Sequence, residues 1–324
     1  MNNNGQRCLI GVRRDKDVFQ QFRQLHDEVH KIIIGEDEVI QAILIAMFTG
    51  NHVLLESVPG MGKTVLSKTI SQTMDMDFKR VQCTPDLSVR ELMGFVQVDA
   101  DSGEKKIVKG TVFTNILLVD EINRAKPVTQ SAMLEVMEEQ QVTLGGTSFK
   151  LPQPFLVLAT QNPVEQEGTF PLPEAQKDRF LFKVVMKYPT LEEEMMILKS
   201  KGKREIVNKI FNPPEVMIIR EEIKNNVTIS DNIMEYALRI VEGTRMRREV
   251  DTGGSPRASV AFMQAGKAKA FMQGRDYVTV DDIKELAFPI LRHRIILNPD
   301  SHDMGVTADD VISKVIERVE APVD

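Results

Sequence analysis

The chain alternates short apolar runs with longer stretches of helical periodicity. Apolar runs fall at residues 53–55, 78–82, 116–119, 155–158 and 180–185. Segments this short suit strands buried on both faces. Helical stretches at 63–74 and 127–140 separate several of them, which predicts a mostly parallel sheet wrapped by helices. Ahead of this unit, Phe19, Phe22, Leu25 and Val29 recur at helical spacing, and an amphipathic helix is expected over 37–49. Between these two helices lies an apolar step, Ile32-Ile33-Ile34, ended by Gly35. Two segments break the alternation. Residues 91–110 place Asp101-Ser102-Gly103 between Val96/Val98 and Ile107/Val108, and residues 142–151 place Gly145-Gly146 between Leu144 and Phe149. Both read as inserted hairpins. After Tyr188-Pro189 the pattern is helical only, at 191–201, 214–225, 231–242, 255–272 and 280–291, with Asp281 and Asp282 in the first turn of the last helix. The expectation is an α/β core over residues 1–188, with hairpins near 91–110 and 141–152, and a helical domain over 189–324.

Composition narrows the function classes. The 324 residues leave room for about two domains. With 42% hydrophobic and 27% charged residues, the chain is globular in type rather than disordered. The longest near-pure apolar run, 42–48, is far short of the ~18 residues of a membrane span, and residues 1–14 have no apolar segment of signal-peptide type. Cys8 and Cys83, without a CxxC, make no disulfide framework or cysteine zinc site. A cytoplasmic protein is expected. The net charge of −6 argues against non-specific nucleic-acid binding. The five histidines are scattered without zinc-ligand spacing. His26 and His30, four apart on a helix, could pair on a metal or simply face water.

The chemistry concentrates in three places. Ser57-Val58-Pro59-Gly60-Met61-Gly62-Lys63-Thr64 follows a strand and opens a helix, so its backbone N–H groups can form an anion site. Gly60 and Gly62 let that backbone approach phosphate oxygens. Lys63 would reach the β- and γ-phosphates and the Thr64 hydroxyl would ligate Mg²⁺. Ser57 stands where the motif has its first glycine, and serine tolerates positive φ poorly. Next, the run 116–119 ends in Asp120-Glu121, two acids with no basic residue beside them. At the C-terminal end of a buried parallel strand such acids need a metal or another charge. Asp120 suits Mg²⁺ held through water, and Glu121 suits the base that activates a water molecule. Third, the strand at 155–160 ends in Gln161-Asn162-Pro163, where Asn162 could hold that water.

These residues resemble the MoxR group of AAA+ ATPases. The matching stretches are 58–64, Thr84-Pro85-Asp86-Leu87, Asp120-Glu121-Ile122-Asn123-Arg124-Ala125, 159–163, the highly specific 167–176, Asp178-Arg179-Phe180, Ser255-Pro256-Arg257-Ala258 and 276–279. The resemblance implies a P-loop NTPase αβα core with a parallel five-stranded sheet in the order 5-1-4-3-2, extra hairpins and an all-helical lid. It implies ATP and Mg²⁺ as cofactors, with Pro59, Gly60, Met61, Gly62, Lys63, Thr64 and Val65 around the phosphates and Ile34-Gly35 as the adenine-contacting turn. Asn162 looks like sensor 1 and Arg179 like an arginine finger acting on the neighbouring subunit's nucleotide. Arg257 looks like sensor 2, reaching from the lid to the γ-phosphate. The implied partners are further copies in a homo-oligomer, a hexameric ring, together with a client protein and a von Willebrand factor A-domain protein. Two other readings stand beside the ATP-hydrolysing machine: a nucleotide-gated scaffold with little turnover, for which Ser57 speaks, and a nucleic-acid motor, against which the acidic composition speaks.

Overall fold

The computed structural model describes residues 16–99, 101, 103–162, 168–200 and 205–322. Two helices lead, α1 (Lys16–His30) and α2 (Asp37–Thr49). There follow β1 (Val53–Glu56), α3 (Lys63–Thr73), β2 (Phe78–Gln82), α4 (Val89–Met93), β3 (Gly94–Val98), β4 (Lys105–Lys109), β5 (Ile116–Asp120), α5 (Pro127–Glu139), β6 (Gln141–Leu144), β7 (Thr147–Lys150), β8 (Leu156–Gln161), α6 (Glu174–Lys177) and β9 (Phe182–Val185). The remainder comprises α7 (Leu191–Ser200), α8 (Pro213–Asn226), α9 (Asp231–Arg245), β10 (Val250–Thr252), α10 (Pro256–Met272), α11 (Val280–Leu291), β11 (Ile296–Leu297), α12 (Pro299–Asp303) and α13 (Ala308–Arg318).

The central sheet has the order β2-β5-β8-β1-β9, with every neighbouring pair parallel. Numbered along the chain, its five strands lie 5-1-4-3-2, as the resemblance implies. The three inner strands are apolar at successive positions because alternate residues enter different cores. Val53, Leu55, Ile116, Leu118, Leu156 and Leu158 join one core, and Leu54, Leu117, Val119, Val157 and Ala159 join the other. The first core continues into α1, α2 and the C-terminal helices, and the second takes in α4, α5 and the hairpin β6–β7. The two inserted hairpins are β3–β4 and β6–β7.

Three elements differ from expectation. β9 is an edge strand in which buried Phe182 and Val184 alternate with half-buried Lys183 and Val185. β2 is an edge strand with Lys79 and Arg80 exposed, so it is not buried on both faces; charge on an edge discourages pairing with other chains. α2 is not amphipathic in use. Val39, Ile40 and every residue from Ala42 to Phe48 are buried, because the C-terminal helices cover the face turned away from the sheet. The C-terminal region also carries three elements not expected from the sequence: the β10–β11 ribbon, the short α12, and α13, whose Thr307 and Asp310 form a capping box and which buries Val311, Ile312 and Val315.

Phe22, Phe48 and Phe211 meet at ring separations of 5.0, 5.3 and 5.7 Å and tie α1 and α2 to the segment before α8. Phe48 is 1% exposed. We expect Phe48→Ala to destabilise the fold by about 3–5 kcal/mol, read as a lower midpoint in denaturant unfolding.

His52 is buried just before β1. Its Nδ1 accepts from the Val157 N–H at 3.0 Å, and its Nε2 lies 3.0 Å from the Met137 carbonyl oxygen. Burial pushes its pKa from 6.5 down to about 4, partly opposed by the Met137 carbonyl. The folded imidazole therefore stays neutral where the unfolded one takes up a proton. The resulting stability is complete above the unfolded value and is lost as pH falls from about 6.5 to about 4. We expect the unfolding midpoint to drop across this window, with His52 contributing on the order of 3 kcal/mol, and His52→Gln to flatten that part of the profile.

Candidate functional site

The C-terminal ends of the inner strands β1, β8 and β5 lie side by side at the carboxyl end of the sheet, the place where open α/β sheets bind ligands. The loop after β1 turns at Gly60 (φ 88°) and Gly62 (φ 71°) and runs directly into α3, which begins at Lys63. A Cβ at either glycine would enter open space, so the loop presents bare backbone above the helix N-terminus. Ser57 is buried and has no positive φ. Its N–H donates to the Gln161 carbonyl at 3.1 Å, and its hydroxyl donates to the Val58 carbonyl at 3.0 Å. The missing glycine therefore leaves the loop undistorted, because this position is not one that needs left-handed backbone.

The acids sit on the adjoining strand ends. Asp120 is 5% exposed. Thr160 at the end of β8 donates its hydroxyl to Asp120 Oδ1 at 3.2 Å and accepts the Glu121 N–H at 2.9 Å. One hydroxyl thus fixes both acids. Glu121 adopts left-handed backbone, φ 53° and ψ 54°, a conformation that is strained for glutamate and turns its side chain out of the strand's course. Lys63 feels both acids. Burial lowers its pKa, the negative field of Asp120 and Glu121 opposes that shift, and Arg80 adds to it. The thiol of Cys83 is pushed up to about 12, first by burial and then by the same two acids, which leaves it an unreactive core residue.

Two basic groups missed in the linear sequence neutralise these acids. Arg80 on β2 places Nε 2.5 Å from Asp120 Oδ2, and Arg124 places Nη1 2.9 Å from Glu121 Oε2. Contrary to expectation, each acid therefore has a basic partner in the folded chain. Arg124 stands three residues beyond Glu121, a spacing visible in the sequence, whereas Arg80 arrives only because β2 pairs with β5. The oxygen donors Thr64 and Asp120 suit a hard cation such as Mg²⁺, with Arg80 on Asp120 in this structure.

The two candidate arginines come together elsewhere. Arg179 Nη1 lies 2.8 Å from Glu138 Oε2, and Arg257 Nη2 lies 3.0 Å from Glu138 Oε1. One carboxylate on α5 holds both. Arg257 also approaches Asp178 at 4.0 Å, and Asp178 pairs with the buried Arg294 at 2.7 Å. The contacts of Arg257 are thus with α5 and the segment before β9 rather than with the phosphate loop of its own chain.

A family model described as the ATPase family associated with various cellular activities (AAA) matches residues 52–182, and an AAA lid domain model matches residues 242–315. Chaperone MoxR1 of Mycobacterium tuberculosis is 39% identical over 304 residues, spanning 91% of this chain and 81% of its own. The chain belongs to the MoxR family of AAA+ ATPases.

YeaC, an uncharacterized protein of Bacillus subtilis, is 41% identical over 300 residues, covering 92% of this chain and 93% of its own. Protein MoxR of Methylorubrum extorquens is 27% identical over 323 residues, 91% and 93% of the two chains. A crystal structure from Cytophaga hutchinsonii, described as a presumed ATPase, superposes with a TM-score of 0.88 at 41% identity and covers 94% of this chain and 96% of its own. Asn162 follows β8, the strand between the loop strand and the acid strand. Pro163 and Glu167 lie outside the described residues. Phe170 is pinned to the acid segment by its N–H, which donates to the Asn123 carbonyl at 2.6 Å. Met61 packs against the first core, whereas Val65 is half exposed on α3. Ile34 and Gly35 lie in the α1–α2 turn, where Gly35 (φ 70°) and Glu36 (φ 65°) are both left-handed. Glu193 of α7 lies over Gly35, so an added Cβ would meet its Oε1 at 2.5 Å. Burial, then the charges of Glu193 and Glu38, raise the Glu36 pKa to about 7.

Proposed function

We propose that this MoxR-family protein hydrolyses ATP with Mg²⁺ as a homo-oligomer, a hexameric ring, and uses the cycle to remodel or mature a client protein complex. The observation that carries this reading is the bare glycine loop after β1 and the paired acids Asp120 and Glu121 after β5 at the same carboxyl end of one parallel sheet, joined through Thr160 of the strand between them. Backbone N–H groups of 59–65 and the Lys63 ammonium would bind the β- and γ-phosphates. Mg²⁺ held by Thr64 and Asp120 would neutralise charge between those phosphates. Glu121 would take the proton of the attacking water, and Asn162 would orient that water. Ile34 and Gly35 would contact the adenine.

Arg179 and Arg257, joined through Glu138, form one unit, so we assign both to the nucleotide of a neighbouring subunit. Leaving Glu138 for a triphosphate would place two positive charges where the transition state gathers negative charge. The core and the helical lid are taken as residues 1–188 and 189–324. None of the described helices is long and apolar enough to cross a membrane. We place the protein in the cytoplasm with its client, and regard a von Willebrand factor A-domain protein as a candidate partner.

Phosphate release measured against protein concentration tests the reading. Mg²⁺-dependent turnover should rise steeply as subunits assemble and vanish in Lys63→Ala. Absence of turnover at every concentration, with ATP still bound, would favour the nucleotide-gated scaffold. The nucleic-acid alternative has one observation in its favour, the exposed Lys105, Lys106 and Lys109 on β4. Stimulation by single-stranded DNA that fades with added salt would support it.

A further inference from the structure

The fold turns the isolated pair His26 and His30 into a three-donor cluster. The two histidines stand four apart on α1, one turn above the other. The chain then reverses through residues 31–36, and the first residue of α2, Asp37, returns to the same spot. His26 Nε2 lies 3.1 Å from His30 Nε2, and Asp37 Oδ1 lies 3.0 Å from each of them. Nothing in the linear spacing marks Asp37 as a third member, because the turn alone brings it in.

The donor triangle has the dimensions of a metal site. An ion about 2.1 Å from each atom would sit about 1 Å above their plane. The second shell is present too. His30 Nδ1 lies 3.0 Å from the Ile33 carbonyl oxygen, an acceptor, so this nitrogen carries a proton. In the neutral ring that leaves the His30 Nε2 lone pair directed into the triangle, the arrangement that orients metal-bound histidines. His30 Nε2 and Asp37 Oδ1 are then two acceptors 3.0 Å apart, a pairing that either a shared proton or a bound metal ion satisfies. His26 and Asp37 are solvent-exposed and His30 is half-buried, so an ion could enter from water and keep open positions for water ligands.

We propose that His26, His30 and Asp37 bind a divalent transition-metal ion of the Zn²⁺ class. Two imidazoles and one carboxylate suit Zn²⁺, Co²⁺ or Ni²⁺ rather than Mg²⁺ or Ca²⁺, which take oxygen donors. The ion would clamp the end of α1 to the start of α2 across the turn that holds Ile34 and Gly35. The site involves none of the phosphate-loop residues, and Zn²⁺ binding without nucleotide is read independently of the adenine contact proposed for the same turn.

The test uses the untagged 324-residue chain without nucleotide at mildly alkaline pH, with Zn²⁺ followed by calorimetry and Co²⁺ by its visible absorption. We expect one Zn²⁺ per chain with micromolar affinity, unaffected by excess Mg²⁺, and visible Co²⁺ bands. His30→Ala and Asp37→Asn should each weaken Zn²⁺ binding at least about tenfold. Circular dichroism checks that both variants fold, and ATP binding by the same variants reports separately on the nucleotide site. Absence of Zn²⁺ binding at micromolar concentrations, or equal binding by the wild type and both variants, would overturn the proposal.

Discussion

Replacing Glu121 with glutamine is expected to lower ATP turnover by about 10²- to 10⁴-fold while leaving ATP bound. The substitution keeps the side chain's size and removes its capacity to accept a proton. The backbone that presents it should be unchanged, because the Glu121 N–H is held by Thr160 and does not depend on the carboxylate. Arg124 would exchange a charged partner for an amide, a modest loss at a half-exposed position. Steady-state phosphate release and binding of a fluorescent ATP analogue separate the two effects. A rate unchanged from wild type would remove Glu121 from the chemistry. Loss of nucleotide binding would instead assign it a structural role.

Arg179→Ala should reduce turnover by about 10³-fold or more if its guanidinium completes a neighbour's site, and mixing experiments carry the sharper result. An Arg179→Ala chain keeps its own loop and acids. A Glu121→Gln chain keeps its arginines. Mixed rings should therefore hydrolyse ATP faster than either variant alone, because some Arg179→Ala sites would face an intact arginine. If Arg179 acts within its own chain, mixing gives only the sum of two weak activities. Arg257→Ala should behave as Arg179→Ala does, since both side chains share Glu138. Rescue of one but not the other would separate their roles.

The parts of this protein that were legible in its sequence are those made by consecutive residues. The phosphate loop, the acid pair and the inner strands each occupy one short stretch, and their chemistry follows from residue type and period. The unread parts depend on what the fold places beside them. Arg80 reaches Asp120 from the next strand, and Thr160 joins two acids from a third. Glu138 lies 41 residues from Arg179 and 119 from Arg257, and no periodicity links them. α2 was read as one-sided because a sequence does not reveal that later helices will cover its other face. α13 was legible in principle, because Val311/Ile312 and Val315/Ile316 recur four apart on one helical face behind the capping pair Thr307 and Asp310.

The side chains around Glu138 form a short row: Arg294, Asp178, Arg257, Glu138 and Arg179. Three guanidiniums alternate with two carboxylates, so the row keeps one positive charge that its own members do not balance. A polyanion brought near it is attracted over several ångströms before any contact forms. Encounter between subunits that carry bound triphosphate would then be faster than between empty ones. Added salt would slow that encounter even where the finished contact is unchanged.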